Sequence, residues 1–453
     1  MYLRVLAMEL DDVKPEVKFF LAAFVRRFGC TDVVARTVKD LAKVLGVPDQ
    51  LVSRATADLV CRGWLESLAV AEGRGRPKSR FVIHAAFADK LRCVNESSVK
   101  YESMIGHLIS DPDIQAQLPD NPSGAVKQIQ PVAGSGGAPR LQSRGRLSIP
   151  GRLLLITLLS RADAFGVVRD VGNAQLRRLT GLDDASLKHR LQRLTSLGFI
   201  RSYVGGVSSS IFPAKIKSTY FLNLNHPMLA PLGDVHAVLV HQALHLADSH
   251  ELHMNIFIEN VRAAEKQPAG YARATPLQVA TFFKSWRHLA VFQVLQLKLN
   301  AYASYLLSHH WPDLGIRGKR IEVPYLNDWI DRDFRFPQEL STSDERMNDK
   351  SLRDAAVDYF YGLAFELADQ FKTRFAQVSG IPFGDMDFII LPLPKGYFHL
   401  SLLAFPRSVS GWRGSRLIKE NGIQIPDVLS SSREACMSLE DRYDCGLLTR
   451  PKG

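Results

Sequence analysis

Between Lys14 and Ile83 the apolar positions follow a helical period and then a strand period. Leu41, Val44 and Leu45 recur at helical spacing and predict a short amphipathic helix. Gly46 follows it, and only glycine adopts positive φ cheaply, so a sharp turn is expected there. Val47 plugs the space behind that turn. Pro48 and Asp49 begin a second helix, proline being tolerated in a first turn and aspartate suited to its positive end. Val52 and Leu59 give this helix a buried side, which leaves Gln50, Ser53, Arg54 and Ala57 outside, and Gly63 ends it. WLESLAV and SRFVI then read as two strands joined by AEGRGRPK.

The same pattern returns 135 residues later without a gap. Leu41 falls on Leu176, Lys43 on Arg178, Val44 on Leu179, Gly46 on Gly181 and Asp49 on Asp184. Val52 falls on Leu187, Leu59 on Leu194, Gly63 on Gly198 and Trp64 on Phe199. The second block opens with the helical stretch IPGRLLLITLLSRA and a small strand, FGVVRDV, and closes with the strands FIRSYVG and STYFLNL. Between the blocks, DPDIQAQLPDNPSG and PVAGSGGAPRLQSRGR are rich in proline, glycine and serine and read as a flexible linker. Tyr101, Met104, Ile105 and Leu108 predict a short helix before it, around Val99–Ile109.

The second half has a different rhythm. Residues 232–310 read as helices, the longest over Pro276–His309, where Phe282, Trp286, Leu289, Phe292, Leu295, Leu299, Tyr302 and Leu306 recur at three- and four-residue steps. Another long helix is expected over Lys350–Val378, with Leu352, Ala356, Phe360, Leu363, Leu367, Phe371 and Phe375 on one face. Two such faces pack on each other or on a partner copy. DFIILPLPKGYFHLSLLAF reads as a β-hairpin turning at Pro394–Gly396, and the chain beyond Arg407 reads as irregular.

The 453 residues suggest about three domains at ~150 residues each. Apolar and charged usage is ordinary for a globular chain, which excludes disordered, collagen-like and disulfide-scaffold classes. No apolar run reaches the ~18 residues of a membrane helix, and the acidic N-terminus does not read as a signal peptide. Five scattered cysteines read as reduced thiols of a cytoplasmic protein. The net charge of +11 becomes informative when divided along the chain. Residues 1–94 carry 16 bases and 11 acids, and residues 140–226 carry 14 and 4. Residues 95–139 carry 2 and 5, and residues 227–453 carry 25 and 26. The positive excess therefore sits in the two repeated blocks.

Helix, helix–turn–helix and basic hairpin together resemble the winged-helix fold, and LAKVLGVPDQLVSRATADLVCRGWLE makes the first block similar to the MarR-type version. The fold class expected is mainly α with small β-wings: two winged-helix domains over 1–94 and 146–226, a linker over 95–145, and a larger helical α+β domain over 227–453. The resemblance implies recognition helices in the major groove, presenting Gln50, Ser53 and Arg54 in the first copy and Lys188 and His189 in the second. Ser186 and Gln192 share the second face, and Arg177, Arg178, Arg190 and Arg193 flank it as phosphate contacts. Arg74, Arg76 and Lys78 resemble a wing tip that enters narrow A·T-rich minor grooves. The second wing, VSSSIFPAKIK, is less basic and more apolar.

Other chemistry is weakly signalled. His236, His241, His245, His250 and His253 cluster, and His241 and His245 stand at i, i+4, but Gln242 in place of glutamate breaks the metalloprotease motif, and no metal is expected. Asp328, Asp331 and Asp333 read as a solvated acidic segment rather than a two-metal site. No phosphate-cradling or nucleophile-elbow motif is present, so no catalytic residue and no cofactor is expected. The expected function is a sequence-specific, nucleoid-associated transcriptional regulator that binds double-stranded DNA, forms a homodimer, and meets an effector or partner protein through its neutral half. A replication initiator of a plasmid or mobile element is the alternative, and a DNA-processing enzyme with a catalytic second half is the third.

Overall fold

The computed structural model describes residues 1–10, 12–70, 78–94, 99–111, 147–229, 237–242, 279, 283, 288–316, 320–335, 343–376, 378, 381–392, 399–407, 417–419, 427–429, 434 and 437–450. The chain is mainly helical with small sheets. It divides into two compact units. The first takes residues 1–164, 173–199 and 226–233, and the second takes 165–172, 200–225 and 234–453. Among the described residues no helix is long and apolar enough to cross a membrane.

The repeat is present as structure. In the first copy, α1 (Tyr2–Ala7) leads into α2 (Pro15–Phe28), followed by β1 (Val34–Ala35), α3 (Val38–Leu45), α4 (Asp49–Cys61), β2 (Leu65–Val70) and β3 (Lys78–Ile83). Helices α5 (Ala85–Arg92) and α6 (Glu102–Ser110) come next. The second copy runs α7 (Ile149–Leu159), β4 (Val167–Val168), α8 (Asn173–Thr180), α9 (Asp184–Ser196), β5 (Ile200–Val204) and β6 (Thr219–Leu222). Helices α3 and α8 have 8 residues each, and α4 and α9 have 13 each. Both three-stranded sheets are antiparallel with the last strand in the middle, β1-β3-β2 and β4-β6-β5. The turns between the helices rest on Gly46 at φ 62° and Gly181 at φ 71°. Thr37 starts α3 with a reciprocal capping box to Asp40, and Asp183 caps α9 through the Ser186 backbone N–H.

The first unit is built around α2 and α7. Val17–Val25 of α2 and Pro150–Leu159 of α7 are buried without interruption, as expected of helices covered on all sides. They pack against one another, and α6 packs on both through Met104, Ile105, Leu108 and Ile109. The short helix expected around Val99–Ile109 is thus present as α6, and its apolar face finds partners in both copies.

Two cations are buried in this core. Lys18 is 1% exposed, and its Nζ donates to the carbonyls of Leu6 (3.2 Å), Met8 (2.6 Å) and Leu179 (2.6 Å). These oxygens lie at the ends of α1 and α8, where helix dipoles favour positive charge. Arg152 is 3% exposed, lies over the Phe19 ring at 5.0 Å, and donates to the carbonyls of Leu108 and Ile109 near the end of α6. Burial pushes the Lys18 ammonium down to about 7, with Glu9 pulling it up and Arg161 pushing it further down. Its unfolded value is ~10.4, so between these two pH values the unfolded chain holds a proton that the folded chain has released. Stability of the first unit therefore rises with pH across that window, and the burial penalty is complete below it. Lys18→Met is expected to flatten this slope in urea unfolding followed by circular dichroism across the same pH range.

The second unit contains β4, β5 and β6 together with β7 (Ala237–Gln242), α10 (Leu289–His309), α11 (Pro324–Asp333), α12 (Ser343–Phe375), β8 (Met386–Ile390), β9 (His399–Pro406), β10 (Leu417–Lys419), β11 (Asp427–Leu429) and α13 (Leu439–Asp444). The five-stranded sheet has the order β11-β10-β7-β9-β8, with β10 and β7 parallel and the other pairs antiparallel. Helix α10 packs on both α12 and β8, and the two long apolar faces meet in one core that includes Phe292, Leu299, Tyr302, Phe360, Leu367 and Phe371. Ser308 and Ser304 of α10 accept hydrogen bonds from the outward N–H groups of Phe388 (2.8 Å) and Ile390 (3.0 Å), so the helix satisfies the β8 edge. The β8–β9 hairpin matches the sequence expectation, and its 393–398 turn lies outside the described residues.

Three expectations for this half are corrected. Residues 237–242 form a strand rather than a helix, since AVLVHQ, with β-branched Val238 and Val240, is held between β9 and β10. The helix expected over Pro276–His309 is not continuous, because His288 is extended and begins a helix at Leu289, while Val279 and Phe283 are buried helical residues before it. The chain beyond Arg407 contributes β10, β11 and α13 and buries Cys445, Leu447 and Leu448.

The hairpin of the second copy is part of this core. Ile211 and Phe212, at the centre of the expected second wing, are 1% and 2% exposed, and the Arg335 N–H donates to the Ile211 carbonyl at 2.6 Å. Arg201 of β5 meets Glu434 in a two-pronged pair, Nη1–Oε1 2.5 Å and Nη2–Oε2 2.6 Å, with both side chains almost fully buried. Asn225 Nδ2 donates to Glu434 Oε2 at 3.0 Å, and the Thr449 N–H donates to the Arg201 carbonyl at 2.7 Å.

Candidate nucleic-acid interface

The candidate contact residues lie on α4 and α9, both in the first unit. Val52, Ala55, Thr56 and Leu59 bury one side of α4, which leaves Gln50, Ser53, Arg54 and Ala57 exposed, as their helical spacing predicts. On α9, Leu187 and Leu194 are buried while Lys188, His189 and Gln192 are exposed. Gln50, Arg54, Lys188, His189 and Gln192 have no hydrogen-bond or ion-pair partner among the described residues. Side chains already free of internal partners meet a ligand without first breaking a bond.

The remaining candidates are more committed. The Ser186 hydroxyl donates to Asp183 at 3.0 Å and its N–H to the same carboxylate at 2.7 Å, which serves the helix cap. That N–H, followed by the hydroxyl, holds the Asp183 carboxyl below its usual range. Arg190 is half-buried and donates to Ser148 Oγ at 2.7 Å, tying α9 to the start of α7. Its Nε is buried without a hydrogen-bond partner among the described residues, so Arg190 is a packing residue as well. Arg177 pairs with Asp184 at 2.8 Å and Arg178 with Glu9 at 3.3 Å. Both pairs are exposed, and such pairs are worth little, so either guanidinium exchanges its carboxylate for a phosphate at small cost. Arg193 is half-buried.

Lys43 occupies in α3 the position Arg178 holds in α8, and it too is exposed. The repeat alignment held the signal for it, because it pairs Lys43 with Arg178. Arg74 and Arg76 lie outside the described residues, and Lys78 begins β3, where it pairs with Val70 across the hairpin.

The alternative chemistries find little geometry. His241 stands on strand β7, so no helix face joins it to His245, which lies outside the described residues with His236, His250 and His253. Asp331 forms a two-pronged pair with Arg353, and Asp333 binds Lys298 Nζ at 2.7 Å and accepts from the Tyr302 hydroxyl at 2.6 Å. Burial, then the Asp333 charge, raises the Tyr302 phenol well above its ordinary value, so it remains a donor. Two of the three carboxylates are thus neutralised by basic side chains. Among the described residues no group of three His, Cys, Asp or Glu side chains is arranged to hold a metal ion. No protein-family model, curated protein or solved structure matches this chain, so its function has to be read from the two exposed helix faces themselves.

Proposed function

We propose that the chain is a sequence-specific double-stranded DNA-binding regulator that uses two winged helix-turn-helix modules. The observation that supports this reading is the duplication: two helix pairs of equal length, each turning on a left-handed glycine, with polar and basic outer faces on α4 and α9. Helices presented in this way fit the major groove, where arginine reads guanine and glutamine reads adenine through paired hydrogen bonds. In this reading Gln50, Arg54, Lys188 and His189 approach base edges, and Arg177, Arg178 and Lys43 approach phosphates. The second hairpin has no groove role, since Ile211 and Phe212 are buried in the second unit. The second unit serves homodimerisation or an effector.

Fluorescence anisotropy with a selected duplex tests the assignment. Arg54→Ala is expected to cost about 1–3 kcal/mol on that duplex and much less on unrelated DNA, as loss of a base contact does. The pair Arg74→Ala and Arg76→Ala is expected to weaken binding to all duplexes alike and to reduce the slope of log affinity against log salt. An unchanged slope removes the wing from the reading.

A replication initiator remains the second reading. Its support is that the exposed helices α4 and α9 belong to one compact unit, an arrangement suited to repeated origin sites. Footprints over origin repeats, with copy number lost on deletion, favour it, and footprints confined to promoters reject it.

A further inference from the structure

We propose that the two modules read one bipartite duplex site at a single fixed spacing, because buried cations lock the two repeats to one another. This inference rests on the DNA reading above and adds the geometry of its target.

Lys18 and Arg152 occupy similar places, each the fourth residue of the long buried helix of its repeat. Each crosses to the other repeat. Lys18 leaves α2 and donates to Leu179 at the end of α8, two residues before Gly181. Arg152 leaves α7, lies over Phe19 of α2, and donates to the end of α6. Neither buried side chain can drift, because leaving its carbonyl acceptors strands hydrogen-bond donors away from water, whether the Lys18 nitrogen is charged or neutral. The carbonyls each holds are therefore fixed relative to its own helix.

Gly181 adds a contact that no side chain can relax. A Cβ there would lie 2.1 Å from the Val13 carbonyl oxygen, so the turn between α8 and α9 rests directly on the segment leading into α2. That turn sets where α9 begins. Helix α2 in turn packs on α4 in the first repeat. A continuous path of packed backbone thus runs from α4 through α2 and Val13 to Gly181 and α9. The distance between the two exposed faces is set by these contacts and not by the length of the chain that connects the repeats. Modules on a loose tether accept a range of half-site separations. Modules locked in this way accept one.

The test uses the wild-type full chain and a random-sequence duplex library. The recovered duplexes are expected to carry two half-motifs at one separation. Inserting a base pair between the half-motifs is expected to lower affinity about tenfold or more, since one face then loses its base contacts. A further insertion to a full turn of about 10 base pairs is expected not to restore it, because the helical phase returns but the distance does not. A control with the exposed pair Lys188→Ala and His189→Ala assigns one half-motif to α9. Recovered duplexes with both half-motifs at many separations and similar affinity overturn the lock and leave the DNA reading standing. Recovery of no motif overturns the DNA reading, and the lock with it.

Discussion

Glu434→Ala is expected to lower the stability of the second unit by about 3–5 kcal/mol, because it strands a buried guanidinium. Arg201 is 1% exposed, and its two terminal nitrogens are directed at the two Glu434 oxygens. Removing the carboxylate leaves Arg201 the Leu447 carbonyl at 3.2 Å as a neutral acceptor. Arg201→Ala is expected to do similar damage, since Glu434 keeps only Asn225 as a bonded donor among its described hydrogen bonds. The double variant Arg201→Met with Glu434→Leu is expected to lose far less, because apolar replacement of a buried pair of similar volume is often close to neutral. Urea midpoints of the three variants decide the matter, and equal losses in all three contradict it. Acid is expected to reproduce the effect. Burial by itself raises the Glu434 carboxyl, but the Arg201 charge and the hydrogen bonds from Arg201 and Asn225 outweigh it and hold the carboxyl below its ordinary value. Stability from this pair is present above ~4.3 and is lost as pH falls through the depressed value. A fragment starting at residue 227 lacks Arg201 altogether, so the sequence boundary at 226 cuts through a buried ion pair.

Gly181→Ala is expected to destabilise the first unit by roughly 2–5 kcal/mol, whereas Gly63→Ala is expected to cost about 1–2 kcal/mol. Both glycines have positive φ, 71° and 68°, so both substitutions incur left-handed strain. They differ in what the new methyl group meets. At Gly63 nothing lies within 4 Å, while at Gly181 the Val13 carbonyl oxygen is 2.1 Å away. A backbone oxygen cannot rotate aside as a side chain does, so the α8–α9 turn has to lift from the α2 segment. Urea unfolding of the two variants measures the difference, and equal losses contradict the close contact.

Local features of this fold were legible in the sequence. The helix pairs follow from short apolar periods and glycine turns, which depend on neighbours within a few residues. Leu187, Arg190 and Leu194 share one helical face, so the packing role of Arg190 was readable too, although its charge suggested phosphate. The missed features are long-range. Lys18 reaches an acceptor 161 residues away, and Arg201 meets Glu434 across 233. No period encodes either contact, and the usual placement of lysine and arginine at the surface argues against both. Strand β7 differs from the helix expected there because His241 with His245 suggests a helical spacing, while Val238 and Val240 belong to an interior strand between β9 and β10. Gln50, Ser53, Arg54, Lys188, His189 and Gln192 are exposed, because exposure on an amphipathic helix is itself periodic, whereas Ser186, Arg190 and Arg193 are half-buried.

The most direct measurement is recovery of genomic duplex fragments by the full chain and by a variant with both faces stripped, Gln50→Ala, Arg54→Ala, Lys188→Ala and His189→Ala. These side chains are exposed, so the variant is expected to fold as the parent does. The account predicts that the parent enriches fragments sharing a motif and that the variant retains only weak, salt-sensitive binding without one. Enrichment of the same motif by the stripped variant, or of no motif by the parent, contradicts it.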